Sequence, residues 1–202
     1  MTILIPGSEW QRHGGWGPDN ALFGYANDAL RGSCREDCTH FLFWDPSGNN
    51  HAHRIAAAQS LRKMIAAHRF ATGEKLNIIA HSHGGNVALA ASHLGLAQPI
   101  ENLITLNKPT LLRDACKPGR NIENFYNISA ARDWIQWAAS DAKMPWSFAN
   151  DENAVNHTID TSSSNIKPHA ALIWDDTFRE VWRHWLQRQA GDEGNKRSRI
   201  RN

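Results

Sequence analysis

The residue best suited to covalent chemistry is a serine held between small residues. Ser82 lies in the run Ala80-His81-Ser82-His83-Gly84, after the apolar stretch 76–80 and before an Ala/Leu-rich stretch. A nucleophilic serine must stand clear of the backbone at a tight, strained turn, and only small neighbours fit beside it. Such a turn also leaves N–H groups at the start of the next helix, where negative charge is favoured. The pattern predicts a strand, a nucleophile elbow and a helix. The alternative is an ordinary strand-to-helix turn in which Ser82 caps the helix.

The elements that must position this serine alternate between strand and helix. The sequence predicts strands over 2–5, 39–44, 76–80, 100–106, 122–129 and 154–160, and helices over 21–30, 52–71, 85–94 and 170–189. This alternation predicts an α/β fold: a six-stranded, mostly parallel sheet with helices on both faces. Chemistry in such sheets collects at the carboxyl ends of the strands.

The carboxyl ends of two later strands supply partners for the serine. Asp133 follows the fifth strand, and His169 follows the sixth and opens the last helix. His169 would take the proton of Ser82, and Asp133 would orient the imidazole and stabilise its charged form. Asp114 is an alternative acid and His157, inside the sixth strand, an alternative base. Asp133 as a surface carboxylate and His169 as a helix-start residue without a role also stay open.

The remaining parts of a site come from loops at the same edge. The oxyanion hole would use the backbone N–H groups of His83 and Ser8. An aromatic, apolar pocket suits an acyl chain, and the candidate pocket walls are Trp10, Trp16, Trp44, Trp134 and Trp146. The loops 8–19 and 140–153 could gate this pocket.

Composition excludes several other classes of function. The chain has 202 residues and a net charge of +2, too small to indicate nucleic acid as a partner. We expect one domain over 1–190 and a basic, disordered tail over 191–202, with no more than peripheral membrane contact. The sequence shows neither an apolar run approaching about 18 residues nor the pattern of a signal peptide, so a cytoplasmic location is expected. It carries no signal for an oligomeric state.

The histidines and cysteines do not form a recognisable metal or redox pattern. His51-x-His53 and His81-x-His83 lack the further ligand spacing of a hydrolytic metal site. The cysteines, Cys34, Cys38 and Cys116, are an odd and sparse set, which argues against a disulfide framework. Cys34-x-x-x-Cys38 could be a metal or redox pair, but no second pair matches it. We therefore expect no metal and no cofactor.

The chain resembles small α/β-hydrolases of the lipase/esterase type over nearly its whole length. The residues that carry the resemblance are Ile3–Gly7, Ala80–Gly85, Leu103–Pro109, Asp133 and His169. Two positions depart from the family pattern: Pro6-Gly7 replaces the usual His-Gly, and Ala80 replaces the first glycine of the elbow. The resemblance implies a minimal α/β-hydrolase fold and a serine hydrolase that cleaves carboxylic esters or lipids through an acyl-serine.

Three other functions fit the same residues. Part of the chain, Phe43–Asn50 with Arg54, is similar to bacterial hydrolases of uncertain substrate, some of which resemble lipase-type effectors. A phospholipase acting on membranes is therefore one alternative. An amidase or thioesterase would use the same machinery. A non-catalytic binding module on this fold is the third, since a fold does not determine a function.

Overall fold

Six strands form one sheet in the computed structural model, which describes residues 1–8, 39–45, 50–111, 118–140, 154–162 and 168–174. The strands are β1 (Thr2–Ile5), β2 (Thr39–Phe41), β3 (Leu76–His81), β4 (Ile100–Leu106), β5 (Ile122–Ala130) and β6 (Ala154–Ile159). The helices in these ranges are α1 (His51–Ala67), α2 (His83–Ser92), α3 (Trp134–Ala138) and α4 (Pro168–Trp174). Every neighbouring pair of strands is parallel, in the order β2-β1-β3-β4-β5-β6. The predicted α/β fold class is confirmed.

The strand order creates a crevice between β1 and β3. The chain moves outward from β1 to β2, crosses back over β1 to β3, and then continues through β4 and β5 to β6. The connections therefore leave β1 and β3 in opposite directions. In open parallel sheets, ligands bind at such a reversal, beyond the carboxyl ends of the strands. Ser82 directly follows β3 at this point.

Strands β1 and β3 are buried along their whole length, which fits their mostly apolar sequences. All six residues of β3 are buried. Ile3, Ile78 and Leu103 belong to one core cluster with the inward faces of α1 and α2. Leu4 and Ile79 alternate with these residues along the strands, so they point to the opposite face, where they are also buried.

Helix α1 begins at a side-chain cap and covers one face of the sheet. The Asn50 side chain accepts a hydrogen bond of 3.1 Å from the His53 N–H. This satisfies one of the backbone N–H groups in the first turn that have no partner within the helix. Ala57, Leu61 and Ile65 recur at helical spacing and are buried against α2 and the sheet. None of the helices in the described ranges has the length and apolar character needed to cross a membrane.

All four described helices differ from the sequence prediction, and α4 begins at Pro168 rather than at 170. Helix α1 ends at Ala67, four residues before the predicted end, and α2 begins at His83, directly after the serine rather than at 85. Helix α3 was not predicted; it exists because Asp133 accepts hydrogen bonds from the N–H groups of Ile135 and Gln136, both at 3.1 Å. Helix α4 is described only over 168–174. The predicted helix 21–30 lies outside the described residues.

Candidate active site

Ser82 sits in a strained backbone conformation at the junction of β3 and α2. Its φ is 49° and its ψ is −130°, a region that costs a non-glycine residue about 1–3 kcal/mol. Hydrogen bonds on both sides hold it there. The Ser82 N–H donates to the Leu106 carbonyl at 2.8 Å, and the Ser82 carbonyl accepts from the Gly85 N–H at 2.9 Å. One hydrogen bond therefore ties the turn to the neighbouring strand β4, and the other ties it to helix α2.

Positive φ angles outside glycine occur at only three of the described residues, and all three follow central strands. They are Ser82 after β3, Asn107 after β4 and Arg132 after β5, with φ of 49°, 51° and 62°. Strained conformations of this kind cluster at functional sites, where the surrounding structure holds them. Their placement marks the carboxyl edge of the sheet as the candidate site.

Two glycines allow the end of β1 to approach the elbow closely. A Cβ atom on Gly84 would lie 2.6 Å from the carbonyl oxygen of Ile5 and 2.7 Å from that of Pro6. A Cβ on Gly7 would lie 2.8 Å from the Ser82 Cβ. All three distances are shorter than a Cβ contact allows, so a side chain at either position would force the end of β1 and the elbow apart. The segment after β1 consequently lies directly beside Ser82.

A buried hydrogen-bonded chain joins the serine, a histidine and an aspartate. The Ser82 hydroxyl lies 3.1 Å from Nε2 of His169, and Nδ1 of His169 lies 2.7 Å from Oδ2 of Asp133. All three side chains are buried. A carboxylate can only accept, so Nδ1 carries the imidazole proton and Nε2 is left as the acceptor for the serine hydroxyl. The arrangement can remove a proton from Ser82 and hold the resulting positive charge beside a carboxylate.

Asp133 is fixed in orientation because both of its carboxylate oxygens are used. Oδ1 caps α3 through the N–H groups of Ile135 and Gln136, while Oδ2 faces His169. The Gln136 side chain donates to the Lys108 carbonyl at 2.6 Å, which attaches α3 to the segment after β4. The short helix thus holds the acid in place relative to the sheet.

The backbone of His169 is held by two side chains from the sheet. Its carbonyl oxygen lies 2.9 Å from His81 Nε2 and 2.9 Å from Asn107 Nδ2. Since a carbonyl only accepts, His81 carries its proton on Nε2. Complete burial lowers the pKa of His81 well below 6.5, and the neighbouring His169 and His83 lower it further. His81 is therefore a neutral donor.

These two contacts were not predicted from the sequence. Asn107 was noted only within the segment Leu103–Pro109 that carries the family resemblance, and His81 only within the elbow segment and as part of a possible metal pair. The available signal was the residue type at the strand end, because asparagine tolerates a left-handed backbone and carries both a donor and an acceptor. Within the described ranges, no three His, Cys, Asp or Glu side chains converge to hold a metal ion.

The predicted pocket residues fall in different places. Trp44 is buried in the core cluster, and its indole N–H donates to the Pro6 carbonyl at 2.9 Å. Trp134 is the first residue of α3 and is 59% exposed. Trp10, Trp16 and Trp146 lie outside the described residues. The assignment of all five as pocket walls stays a prediction.

The remaining candidates can be placed as follows. Ser8 is partly buried and follows Gly7, which packs against Ser82; the His83 N–H opens α2. His157 lies within β6 and is exposed. The alternative acid, Asp114, lies outside the described residues. The catalytic roles of these residues remain predictions.

Similarity to solved structures extends over almost the whole chain. A protein described as a YdeN-like hydrolase from Pectobacterium atrosepticum is 10% identical, with a TM-score of 0.54 over 92% of this chain and 91% of that one. An α/β serine hydrolase without a lid from Xanthomonas campestris is 15% identical, with a TM-score of 0.45 over 93% and 82%. Neither a protein-family model nor a curated protein matches the sequence. With its all-parallel six-stranded sheet and the first of these likenesses, the chain has the α/β-hydrolase fold.

Proposed function

We propose that this protein is a serine hydrolase that cleaves carboxylic esters through an acyl-serine intermediate. The observation that carries the proposal is the buried chain from Ser82 through His169 to Asp133, with distances of 3.1 and 2.7 Å. A nucleophile, a base and an orienting acid within hydrogen-bonding reach are what acyl transfer requires.

The proposed mechanism has two halves. In the first, Ser82 Oγ attacks the carbonyl carbon of the ester while His169 Nε2 takes the hydroxyl proton. The C–O bond to the alcohol then breaks, and His169 returns the proton to the departing alcohol oxygen. In the second, water gives a proton to His169 and attacks the acyl carbon. The bond from that carbon to Ser82 Oγ then breaks, and His169 returns the proton to Oγ, which releases the carboxylic acid and restores Ser82. Asp133 stabilises the imidazolium in both halves.

The close approach of β1 supports an oxyanion hole beside the serine. The His83 N–H stands at the start of α2, where the helix dipole favours negative charge. Gly7 packs against Ser82, and Ser8 is the next residue along the chain, which supports Ser8 as the second donor. We propose that the two backbone N–H groups bind the oxyanion, as the sequence predicted. Donors of this kind each contribute about 10²–10³-fold to the rate.

Esters make less demand on the general acid of this machinery than amides do. An alkoxide is a better leaving group than an amide nitrogen, so protonation by His169 need not be complete when the bond breaks. Trp134, the residue after Asp133, is exposed at the start of α3, and an aromatic side chain there supports an apolar substrate. Aromatic surfaces of this kind favour an acyl chain over a charged group.

Hydrolysis of p-nitrophenyl esters of increasing chain length tests the proposal. We expect turnover by the native chain and a loss of about 10⁵–10⁶-fold in Ser82→Ala. The matched control is Ser92→Ala, which removes a buried hydroxyl at the other end of the same helix. It should keep the native rate in the folded protein. Turnover that survives in Ser82→Ala would overturn the nucleophile assignment, and no turnover of any ester by the native chain would favour a binding module.

A further inference from the structure

We propose that Asn107 is a positioning residue that fixes the base and the acid of the site relative to each other. The inference rests on the proposed function, because it assigns His169 as the base and Asp133 as the acid. The hydrogen bonds of the Asn107 side chain go to backbone groups and not to the catalytic side chains. Asn107 acts on the backbone segments that carry the two side chains.

The backbone of Asn107 is itself firmly held. The residue directly follows β4, is 0% exposed and has a φ of 51°. Its N–H donates to the Ile128 carbonyl of β5 at 2.8 Å. Asparagine is one of the few residues that adopt a left-handed backbone at low cost. The conformation turns the side chain back across the carboxyl edge of the sheet.

The side-chain amide of Asn107 bridges two parts of the site. Its Oδ1 accepts from the N–H of Ala130 at 2.7 Å, and Ala130 ends β5 just before the turn to Asp133. Its Nδ2 donates to the carbonyls of Pro168 at 3.2 Å and His169 at 2.9 Å, in the first turn of α4. One rigid, planar group therefore fixes the distance between the end of β5, which leads to Asp133, and the start of α4, which carries His169.

Only an amide of this length satisfies both sides. The Ala130 N–H needs an acceptor and the two carbonyls need a donor, and asparagine supplies both within one planar group. Aspartate would keep the acceptor but place a carboxylate oxygen against the carbonyls. Glycine would keep the left-handed backbone and lose both contacts. His81 donates to the same His169 carbonyl, so loss of Asn107 should shift the base rather than release it.

The test compares Asn107→Asp and Asn107→Gly with a control on the same strand. Asn102→Ala removes a side-chain hydrogen bond of 2.8 Å from Asn102 to Asn77 in β3, in the half of β4 remote from Ser82. Because a displacement of about 1 Å costs about 10²-fold, we expect both Asn107 variants to lose about that factor in kcat on a p-nitrophenyl ester. Their KM should change little, and Asn102→Ala should match the native kinetics.

A second readout separates this proposal from the proposed function. The proton between His169 and Asp133 should give a far-downfield ¹H NMR signal in the native protein, independent of turnover. We expect the signal to shift or broaden in Asn107→Asp, which keeps the Ala130 bond and the backbone conformation and so should fold. Native kcat and an unchanged signal in the folded Asn107→Asp variant would overturn the positioning role. If the native protein hydrolyses no ester, the proposed function fails, and the NMR comparison alone decides the positioning role.

Discussion

Gly7→Ala is a single added methyl group that the structure places directly against the nucleophile. The new Cβ would lie 2.8 Å from the Ser82 Cβ and 3.0 Å from Nδ1 of His81. Carbon atoms in good contact are about 3.5–4.0 Å apart, so the segment after β1 and the elbow must separate by about 0.7 Å or more. The methyl group therefore acts where the proposed oxyanion donors meet the serine.

The displacement sets the size of both expected effects. Overpacking of this kind destabilises a protein by about 1–3 kcal/mol. A misplacement of about 1 Å at a reacting centre costs about 10²-fold in rate, which equals about 2.7 kcal/mol in the activation free energy. We therefore expect Gly7→Ala to fold with reduced stability and to lose about 10²-fold in kcat for ester hydrolysis. Chemical denaturation and steady-state kinetics on the same preparation measure the two effects.

Gly73→Ala is the matched control for this prediction. Gly73 has a φ of 80° and nothing within 4 Å of its would-be Cβ, and it lies before β3 at the opposite end of the strand from Ser82. Alanine there carries a backbone cost of about 1–2 kcal/mol without touching the site. Its kcat should equal that of the native protein. The reasoning is refuted if Gly7→Ala hydrolyses esters at the native rate, or if Gly73→Ala loses as much activity.

Two further predictions concern side chains around the same centre. Asp133→Asn should fold, because Oδ1 can still cap α3, yet lose about 10⁴-fold in kcat, because an amide favours the wrong imidazole tautomer; full loss in Asp114→Asn instead would show the other acid to be correct. The second follows from the pKa of His81, which burial, then the nearby His169 and His83, lowers in the folded state. Since the unfolded chain then binds more protons, the free energy of unfolding should fall as the pH drops below about 6.5, by at most about 1.4 kcal/mol per pH unit. Urea denaturation at several pH values measures this dependence. The free energy of unfolding should change less steeply with pH in His81→Gln than in the native protein, and equal dependence on pH would contradict the lowered pKa of His81.

The sheet could be predicted because each strand carries its own local signal. β1 and β4 were predicted with their observed bounds, since β1 ends at Pro6-Gly7 and β4 runs from the residue after Pro99 to the residue before Asn107. Parallel strands bring their carboxyl ends to one edge of the sheet, so the order of the strands in the sequence is enough to group Ser82, Asp133 and His169.

The contacts that refine the site could not be predicted because they join distant segments through single side chains. Helix α3 depends on the carboxylate of Asp133, and five residues give too little periodicity to recognise. The early start of α2 depends on the fit of Gly84 against the end of β1, whereas glycine by itself disfavours a helix. The amide of Asn107 reaches a helix 62 residues further along the chain. Trp44 donates to Pro6, which hydrophobic spacing does not reveal.

Labelling by a fluorophosphonate probe, read by intact mass and peptide mapping, tests the central claim most directly. The probe reacts only with a serine whose hydroxyl is activated by a base, so it reports on the Ser82–His169–Asp133 chain without any assumption about the substrate. We predict one label on the native chain, located on Ser82, and none on Ser82→Ala or His169→Ala. A folded native chain that takes up no label, or a label on another serine, would contradict the account.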